Sequence, residues 1–395
     1  MCTESGVTKK KNEECFANDD SWSKPSKVVD DCSRDGQRDM AMKAFVFQDG
    51  EAGLQTVPIP VPAAKEALIK VNRAGVCNTD LEILKGYMGF NGVIGHEFVG
   101  TVVSVQSDEE EDQVWVNKRV CGDINCACLK ASCGTCAQSN TALARNHCPT
   151  RSVLGILAKD GTYGEYITLP IRNLHAIPDF IPDEEAVFVE PLAAACRIIE
   201  QKVIHPATDR VAVIGDGKLG LLIMEVLMRS GLQHPPCIIG RHPSKMKLLY
   251  GDGRLKVDMV ILESGTKVNP REDSYIRVES REALQHKFDV VVDATGSPAG
   301  LELSTYITRP MGTLVLKSTC AIGTTFNTAP YVIDELRIVG SRCGPFEEAI
   351  KLFKNDGAPP LNLKKYISGV YSLDNVEGGI AKAKEKGALK VQITM

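Results

Sequence analysis

The chain has 395 residues, a formal net charge of −4, 43% hydrophobic residues and 24% charged residues. This length favours two domains, because single hydrophobic cores stop growing near about 250–300 residues. The charge balance argues against nucleic acid and anionic membranes as partners. Apolar runs stay well short of the roughly 18 residues that span a bilayer. With no signal-peptide core at the N-terminus, we expect a cytoplasmic protein, and an organellar location stays open.

Residues 1–39 mix a lysine run, Lys9 to Lys11, with acidic residues, and they have almost no apolar periodicity. Such a segment cannot bury enough apolar surface to offset the entropy lost on ordering. We therefore predict a disordered N-terminal extension.

Short apolar runs separated by glycine and proline follow from Met42. Strands of this length, with frequent turn signals between them, are typical of a compact β-barrel-like domain. The predicted strands are 43–47, 67–72, 99–105, 113–120 and 163–169.

A cysteine, a histidine and a glutamate lie near one another in this first part of the chain. Cys77 is followed by the adjacent pair His96 and Glu97. A thiolate, an imidazole and a carboxylate form the mixed ligand set that zinc accepts when one position stays open for chemistry. Thr79 and Asp80 add a hydroxyl that can hold a substrate oxygen and a carboxylate that can orient the imidazole. The pattern predicts a catalytic zinc site.

Six of the 14 cysteines lie between Cys121 and Cys148. In a reduced compartment such clustering indicates metal binding rather than disulfides. Four of the six have spacings that suit a closed, tetrahedral structural zinc. These predicted ligands are Cys128, Cys133, Cys136 and Cys148.

A glycine-rich turn marks the second half of the chain. A buried-strand pattern at 210–214 precedes Gly215, Gly217 and Gly220, and a helical pattern follows. In this context the glycines form the turn, admit a pyrophosphate and let the helix pack on the strand. With Lys218 and Leu219 at the helix start, the segment predicts a dinucleotide site.

The next predicted strand ends at Gly240, followed by Arg241 and His242. An NAD site usually presents an acidic residue here for the ribose 2′-hydroxyl, whereas a guanidinium can bind a 2′-phosphate. We therefore predict a preference for NADP(H). The alternative is that Arg241 stacks on adenine with either cofactor.

Further apolar runs alternate with helical patterns, as in a doubly wound parallel sheet. Thr295 follows the run 288–293 and completes the predicted cofactor-binding set. The charged stretch 252–286 is longer than this topology needs, so we interpret it as an insertion at the rim of the sheet. Beyond residue 345 the chain is expected to return to the first domain, with helices at 347–353 and 376–386 and a strand at 390–394.

Two segments, 75–80 (GVCNTD) and 95–100 (GHEFVG), resemble the active-site signature of the zinc-containing medium-chain dehydrogenases. That family includes alcohol, sorbitol, threonine and glucose dehydrogenases, and the resemblance runs from about Met42 to the C-terminus. It implies an α/β protein with a GroES-like β-barrel catalytic domain (40–185 and 345–395) and a Rossmann domain (186–344). It also implies a homodimer or homotetramer.

The resemblance adds candidate residues and leaves alternatives open. Glu190 occupies the Glu-Pro-Leu position that lies at the catalytic metal in sorbitol and glucose dehydrogenase-like members, so it shares the ligand position with Glu97. Glu82 stands where many relatives have a relay histidine, and is either a proton relay, a substrate contact or a surface charge. The family lobe has tighter cysteine spacing. Cys126 could therefore replace Cys128, or the lobe could lack its metal.

A metal site and a dinucleotide site together imply hydride transfer between an alcohol carbon and NAD(P). The anionic Glu190 favours polyols, sugars or secondary alcohols over ethanol. A 3-hydroxy amino acid such as threonine is the alternative substrate. The alternative from a different functional class is a nonenzymatic, zinc-binding protein of the same fold.

Overall fold

The computed structural model describes residues 40–138, 145–250, 255–263, 268–269, 273–318, 327–354 and 359–395. The predicted N-terminal extension, residues 1–39, lies outside the described residues. The described residues belong to one compact unit, Met40–Met395.

The β-strands are numbered in chain order and fall into two large sheets and two small ones. They are β1 Ala41–Gln48, β2 Glu51–Pro58, β3 Glu66–Val76, β4 Gly92–Val93, β5 Glu97–Gln106, β6 Arg119–Gly122, β7 Asn125–Cys126, β8 Ser152–Val153, β9 Tyr166–Pro170, β10 Leu174–Ala176, β11 Val211–Ile214, β12 Cys237–Gly240, β13 Asp258–Leu262, β14 Arg277–Glu279, β15 Phe288–Asp293, β16 Thr308–Leu316, β17 Arg337–Gly340, β18 Ile367–Ser372 and β19 Lys390–Thr394.

The helices with both ends described are mostly short. They are α1 Asn78–Ile83, α2 Glu110–Gln113, α3 Asp183–Ala186, α4 Val189–Glu200, α5 Lys218–Leu227, α6 Pro243–Met246, α7 Pro298–Ile307, α8 Ala329–Ile333, α9 Phe346–Lys351 and α10 Val376–Lys384. No helix in the described part of the chain is both long enough and apolar enough to cross a bilayer.

The first large sheet has the order β10-β6-β5-β3-β19-β18, with β9 also paired to β3, and β2-β1-β4 form a small sheet. The predicted barrel-like catalytic domain is thereby confirmed. In the antiparallel β3–β5 pair Gly75 lies opposite Glu97, and in the β3–β19 pair Val76 lies opposite Val391. The end of β3 therefore meets the starts of β5 and β19.

The second large sheet has the order β14-β13-β12-β11-β15-β16-β17, and all its neighbours are parallel. Buried aliphatic side chains cover both of its faces, as expected for a parallel sheet between helices. The predicted doubly wound Rossmann fold is confirmed. The strand order reverses beside β11, so the carboxyl end of β11 is the expected ligand crevice.

Two local predictions are wrong. The stretch 252–286 supplies β13 and β14 to the parallel sheet and is not merely an insertion at its rim. The predicted strand 113–120 begins only at Arg119, because α2 occupies 110–113. Asp112 accepts hydrogen bonds from the Ser107 hydroxyl at 2.5 Å and from Lys65 Nζ at 2.9 Å. Acidic residues in the first turn of α2 favour the helix through its dipole.

Candidate active site

Three candidate metal ligands converge where β3 ends and β5 begins. Cys77 directly follows β3, His96 precedes β5, and Glu97 is the first residue of β5. One ligand atom from each of the three lies within 4.8 Å of the others. His96 and Glu97 are buried and Cys77 is half-buried, so the cluster is open to solvent on the cysteine side.

Asp80 lies beside the His96 ring and pairs with it. Its Oδ1 lies 3.0 Å from His96 Nδ1, and both side chains are buried. Its Oδ2 accepts hydrogen bonds from the Cys77 backbone N–H and from the Tyr163 hydroxyl, both at 2.8 Å. Burial lowers the pKa of His96, but the charges of Asp80 and Cys77 raise it well above its usual value overall. Tyr163 was not anticipated from the sequence.

Glu97 has a second partner that sequence reasoning missed. Lys390, the first residue of β19, forms a buried ion pair with Glu97 Oε2. Its Nζ also lies 5.7 Å from the centre of the Phe188 ring. Burial lowers the pKa of Lys390, but the Glu97 charge outweighs it and the net pKa is raised. A residue 293 positions away in the chain gives no local sequence signal.

Glu190 lies near the cluster but outside the group of mutually close ligand atoms. It is the second residue of α4 and is half-buried. Burial raises its pKa to about 7; the charge of Glu97 adds to this rise, whereas His96 opposes it. The carboxyl group is therefore easily protonated, as expected for two carboxylates near one site.

The two remaining candidates in this region lie on α1. The Thr79 hydroxyl is 3.7 Å from Cys77 Sγ, so it belongs to the cluster. Glu82 lies on the exposed side of the helix, where its Oε1 accepts from Lys85 Nζ at 2.8 Å. This position agrees with the alternative that Glu82 is a surface charge.

The four predicted structural ligands form a second cluster. Ligand atoms of Cys128, Cys133, Cys136 and Cys148 all lie within 4.8 Å of one another. Burial raises the pKa of Cys148, but the Cys128 backbone N–H and Thr150 lower it, to about 6 overall. Cys126 points elsewhere, with its Sγ 3.8 Å from Asn173 Nδ2. The grouping therefore favours Cys128 over Cys126.

The glycine-rich turn follows β11 as predicted. Gly215 has φ +110°, which favours glycine, and its N–H donates to the Ile239 carbonyl at 2.9 Å. A Cβ on Gly220 would overlap the Gly215 carbonyl oxygen, whereas Gly217 faces open space. Lys218 and Leu219 begin α5, and the Lys218 Nζ lies 3.4 Å from the Val76 carbonyl oxygen. The turn thus presents the N-terminus of α5 beside the Cys77, His96 and Glu97 cluster.

The tip of β12 is held by an acidic side chain from the same turn. Asp216 Oδ2 accepts backbone N–H bonds from Arg241 at 2.7 Å and His242 at 2.6 Å. His242 Nδ1 lies 3.0 Å from Asp216 Oδ1. The sequence shows no carboxylate at the tip itself, and this one was not anticipated. Both carboxylate oxygens of Asp216 are thus already in contact with polar groups of Arg241 and His242.

Thr295 lies two residues after the end of the neighbouring strand β15. Its N–H and hydroxyl both donate to Asp293 Oδ1, at 2.9 and 2.7 Å.

A cavity of about 560 Å³ opens beside the glycine-rich turn. Its walls are Asn78, Gly217, Lys218, Arg241, His242, Lys245, Glu385, Lys386, Gly387 and Ala388.

Comparison with known proteins identifies the first half of this architecture. Residues 63–179 match the alcohol dehydrogenase GroES-like domain. The chain is 31% identical over 271 residues to an L-threonine 3-dehydrogenase of Chelativorans sp., which covers 65% of this chain and 70% of that protein. It is 27% identical over 357 residues to D-arabinitol dehydrogenase 1 of Uromyces fabae, and this match covers 85% of this chain and 91% of that protein. The starvation-sensing protein RspB of Escherichia coli is 36% identical over 173 residues, covering 43% of this chain and only 48% of RspB.

Solved structures extend the likeness to the cofactor half. A protein of Sinorhizobium meliloti described as a zinc-binding dehydrogenase, with NADP bound, has a TM-score of 0.74 at 25% identity, covering 90% of this chain and all of that one. RspB of E. coli CFT073 with NADH has the same TM-score and identity, and this match covers 90% of this chain and 99% of that one. By its catalytic fold, its Rossmann sheet and these relatives, the chain belongs to the zinc-containing medium-chain dehydrogenases, which are NAD(P)-dependent oxidoreductases of alcohol, polyol, sugar and threonine substrates.

Proposed function

We propose that this chain is a zinc-dependent dehydrogenase that transfers a hydride between an alcohol carbon of a polyol, sugar or secondary alcohol and NADP(H). The observation that carries the proposal is the convergence of Cys77, His96 and Glu97 within 4.8 Å. The dinucleotide turn lies beside this cluster, since Lys218 on the turn reaches the carbonyl of the residue before Cys77.

The donor set fits a catalytic zinc. A half-buried thiolate, a buried imidazole and a carboxylate supply three ligands and leave a position towards solvent. Cys77, His96 and either Glu97 or Glu190 would hold the ion. When bound, zinc supplies Lewis acidity, which lowers the pKa of an alcohol and stabilises the developing negative charge. A structural zinc on the four-cysteine cluster is the second proposed metal.

The protein's own residues then orient the substrate and move its proton. Asp80, which faces the His96 Nδ1 at 3.0 Å, fixes the ring so that Nε2 points to the ligand position. The Thr79 hydroxyl, beside Cys77, would accept the hydrogen of the substrate hydroxyl and pass it towards solvent. Glu82 is paired with Lys85, so the relay does not require it.

The acidic groups favour a substrate with several hydroxyls. Glu190 and Glu97 place two carboxyl groups at the site, and the one that does not hold the ion can accept a hydrogen bond from a substrate hydroxyl. A polyol or sugar offers several such donors, whereas ethanol offers one. The threonine dehydrogenase relative at 31% identity keeps a 3-hydroxy amino acid as the second candidate.

NADP(H) is proposed over NAD(H) because the β12 tip offers Arg241 to a 2′-phosphate while the nearby Asp216 is occupied. Replacing Arg241 by Ala should lower kcat/KM for NADP by roughly tenfold or more and leave that for NAD nearly unchanged. Steady-state kinetics with both cofactors provides the measurement. An unchanged ratio would contradict the proposed preference and favour adenine stacking.

Turnover and metal content test the proposal as a whole. The purified protein is assayed with NADP and NAD against polyols, aldoses, secondary alcohols and L-threonine, and its zinc is measured. We expect two zinc ions per chain and turnover of at least one polyhydroxylated substrate. Cys77→Ser should retain about one zinc and lose activity. Absence of any turnover would leave the nonenzymatic alternative.

We also propose a cytoplasmic homodimer or homotetramer, on the strength of the family resemblance. Size-exclusion chromatography with light scattering would test the assembly.

A further inference from the structure

The cofactor cavity has a second wall that belongs to the C-terminal part of the chain. One wall is the glycine-rich turn and the β12 tip, and the other includes residues 385–388, between α10 and β19. We infer that Lys386 is a second ligand for the cofactor's 2′-phosphate, reaching it from the wall opposite Arg241. This inference rests on the proposed use of NADP(H).

The turn that carries Lys386 has a defined shape. The Ala388 N–H donates to the Glu385 carbonyl at 3.1 Å, and Gly387 has φ +98°. A positive φ at the third residue is what a type II β-turn requires, and the second residue of this turn is exposed. Lys386 is that second residue. The fold therefore presents its side chain at the tip of a tight turn, not on a loose tail.

The charges around the cavity favour an anion. Lys218, Arg241, Lys245 and Lys386 line it, and Glu385 is the acidic residue among the lining side chains. Glu385 Oε2 already binds Lys382 Nζ at 2.6 Å. No carboxylate in the described part of the chain forms an ion pair with Lys386. The cavity thus carries more positive charge than its own acids neutralise.

Each cation around the cavity has a different position. Lys218 is at the start of α5 and reaches the Val76 carbonyl, next to the N–H groups that suit a pyrophosphate. Arg241 is at the end of β12, where the adenosine ribose of a bound dinucleotide lies. Arg241 and Lys386 line the same cavity, so a 2′-phosphate bound by Arg241 would lie in the space that Lys386 also lines.

The inference is tested on ligand binding rather than on turnover. Lys386→Gln and the control Lys384→Gln, at the exposed end of α10 and outside the cavity, are titrated calorimetrically with 2′,5′-ADP and with 5′-AMP. NADPH and NADH are titrated by fluorescence. We expect Lys386→Gln to weaken 2′,5′-ADP and NADPH about tenfold and to leave 5′-AMP and NADH within twofold. Lys386→Arg should retain wild-type binding, and Lys384→Gln should change nothing.

The outcomes separate this inference from the proposed function. If the wild type binds NADPH no better than NADH, the proposed cofactor preference fails. If the wild type prefers NADPH and Arg241→Ala removes the preference, but Lys386→Gln does not weaken 2′,5′-ADP, only the role of Lys386 fails. Equal weakening of 5′-AMP and 2′,5′-ADP by Lys386→Gln would also overturn it, since that result indicates general distortion of the cavity.

Discussion

Gly75 shows how one missing side chain shapes the cluster of Cys77, His96 and Glu97. In the β3–β5 pair it lies directly opposite Glu97, and a Cβ built on it would overlap Glu97 Oε2 and lie 2.8 Å from Val187 Cγ1. The Glu97 carboxylate thus occupies space that only glycine leaves free. Its partner Lys390 is buried, so the carboxylate has little room to move aside.

We predict that Gly75→Ala displaces the Glu97 carboxylate and lowers kcat/KM by roughly 10- to 100-fold, the effect expected when a group at a metal site is misplaced. Overpacking should also cost about 1–3 kcal/mol of unfolding free energy. Enzyme kinetics and urea denaturation measure the two effects. Gly53→Ala is the control, since a Cβ there meets nothing within 4 Å. Unchanged kinetics in Gly75→Ala would refute the steric account.

The contacts of the site residues are of two kinds. Some join residues that are close in the sequence, and others join residues that are far apart. Cys77, Thr79 and Asp80 lie within one turn of α1 and its cap, so their spacing in the sequence already places them close together. Tyr163, which donates to Asp80, and Lys390, which pairs with Glu97, come from distant segments. Their contacts depend on sheet register, which a single sequence does not reveal.

At the scale of elements, periodicity predicted the buried parallel strands well. The run at 288–293 matches β15, because strands packed on both sides leave a continuous apolar pattern. The run at 390–394 matches β19 of the catalytic sheet, where apolar and polar residues alternate. The pattern failed where short elements depend on other interactions. At 110–120, a short acidic helix and a turn replace the expected strand, and the apolar Val114 is exposed.

The cysteine lobe is an element whose order should depend on metal. We predict that Cys136→Ser removes one zinc per chain and lowers Tm by roughly 5–10 °C, because a structural zinc contributes folding free energy directly. Zinc analysis and thermal unfolding provide the measurements. Cys126→Ser is the matched control, as Cys126 lies outside the cluster and should retain both ions. Equal zinc loss in the two variants would show that the ligand assignment is wrong.

At the scale of the whole molecule, helix α5 is tied to the sheet that bears the Cys77, His96 and Glu97 cluster. Glu225 on α5 is buried, and its Oε2 pairs with Arg229 Nη1 at 2.5 Å. Its Oε1 pairs with Lys365 Nζ at 2.7 Å and accepts from the Tyr366 hydroxyl. Lys365 and Tyr366 immediately precede β18, a strand of the catalytic sheet. One carboxylate therefore joins the two halves at the point where the chain returns.

Neutralising this carboxylate should weaken the whole unit. In Glu225→Gln the amide keeps nearly the same shape but leaves the Arg229 charge buried without compensation, which typically costs about 3–5 kcal/mol. We expect the urea midpoint to fall accordingly, with both halves unfolding together when followed by near-UV circular dichroism and by loss of cofactor binding. Glu348→Gln, in the exposed pair with Lys351, should leave the midpoint unchanged, because exposed ion pairs contribute little. Similar midpoints for the two variants would mean that the buried network does not hold the halves together.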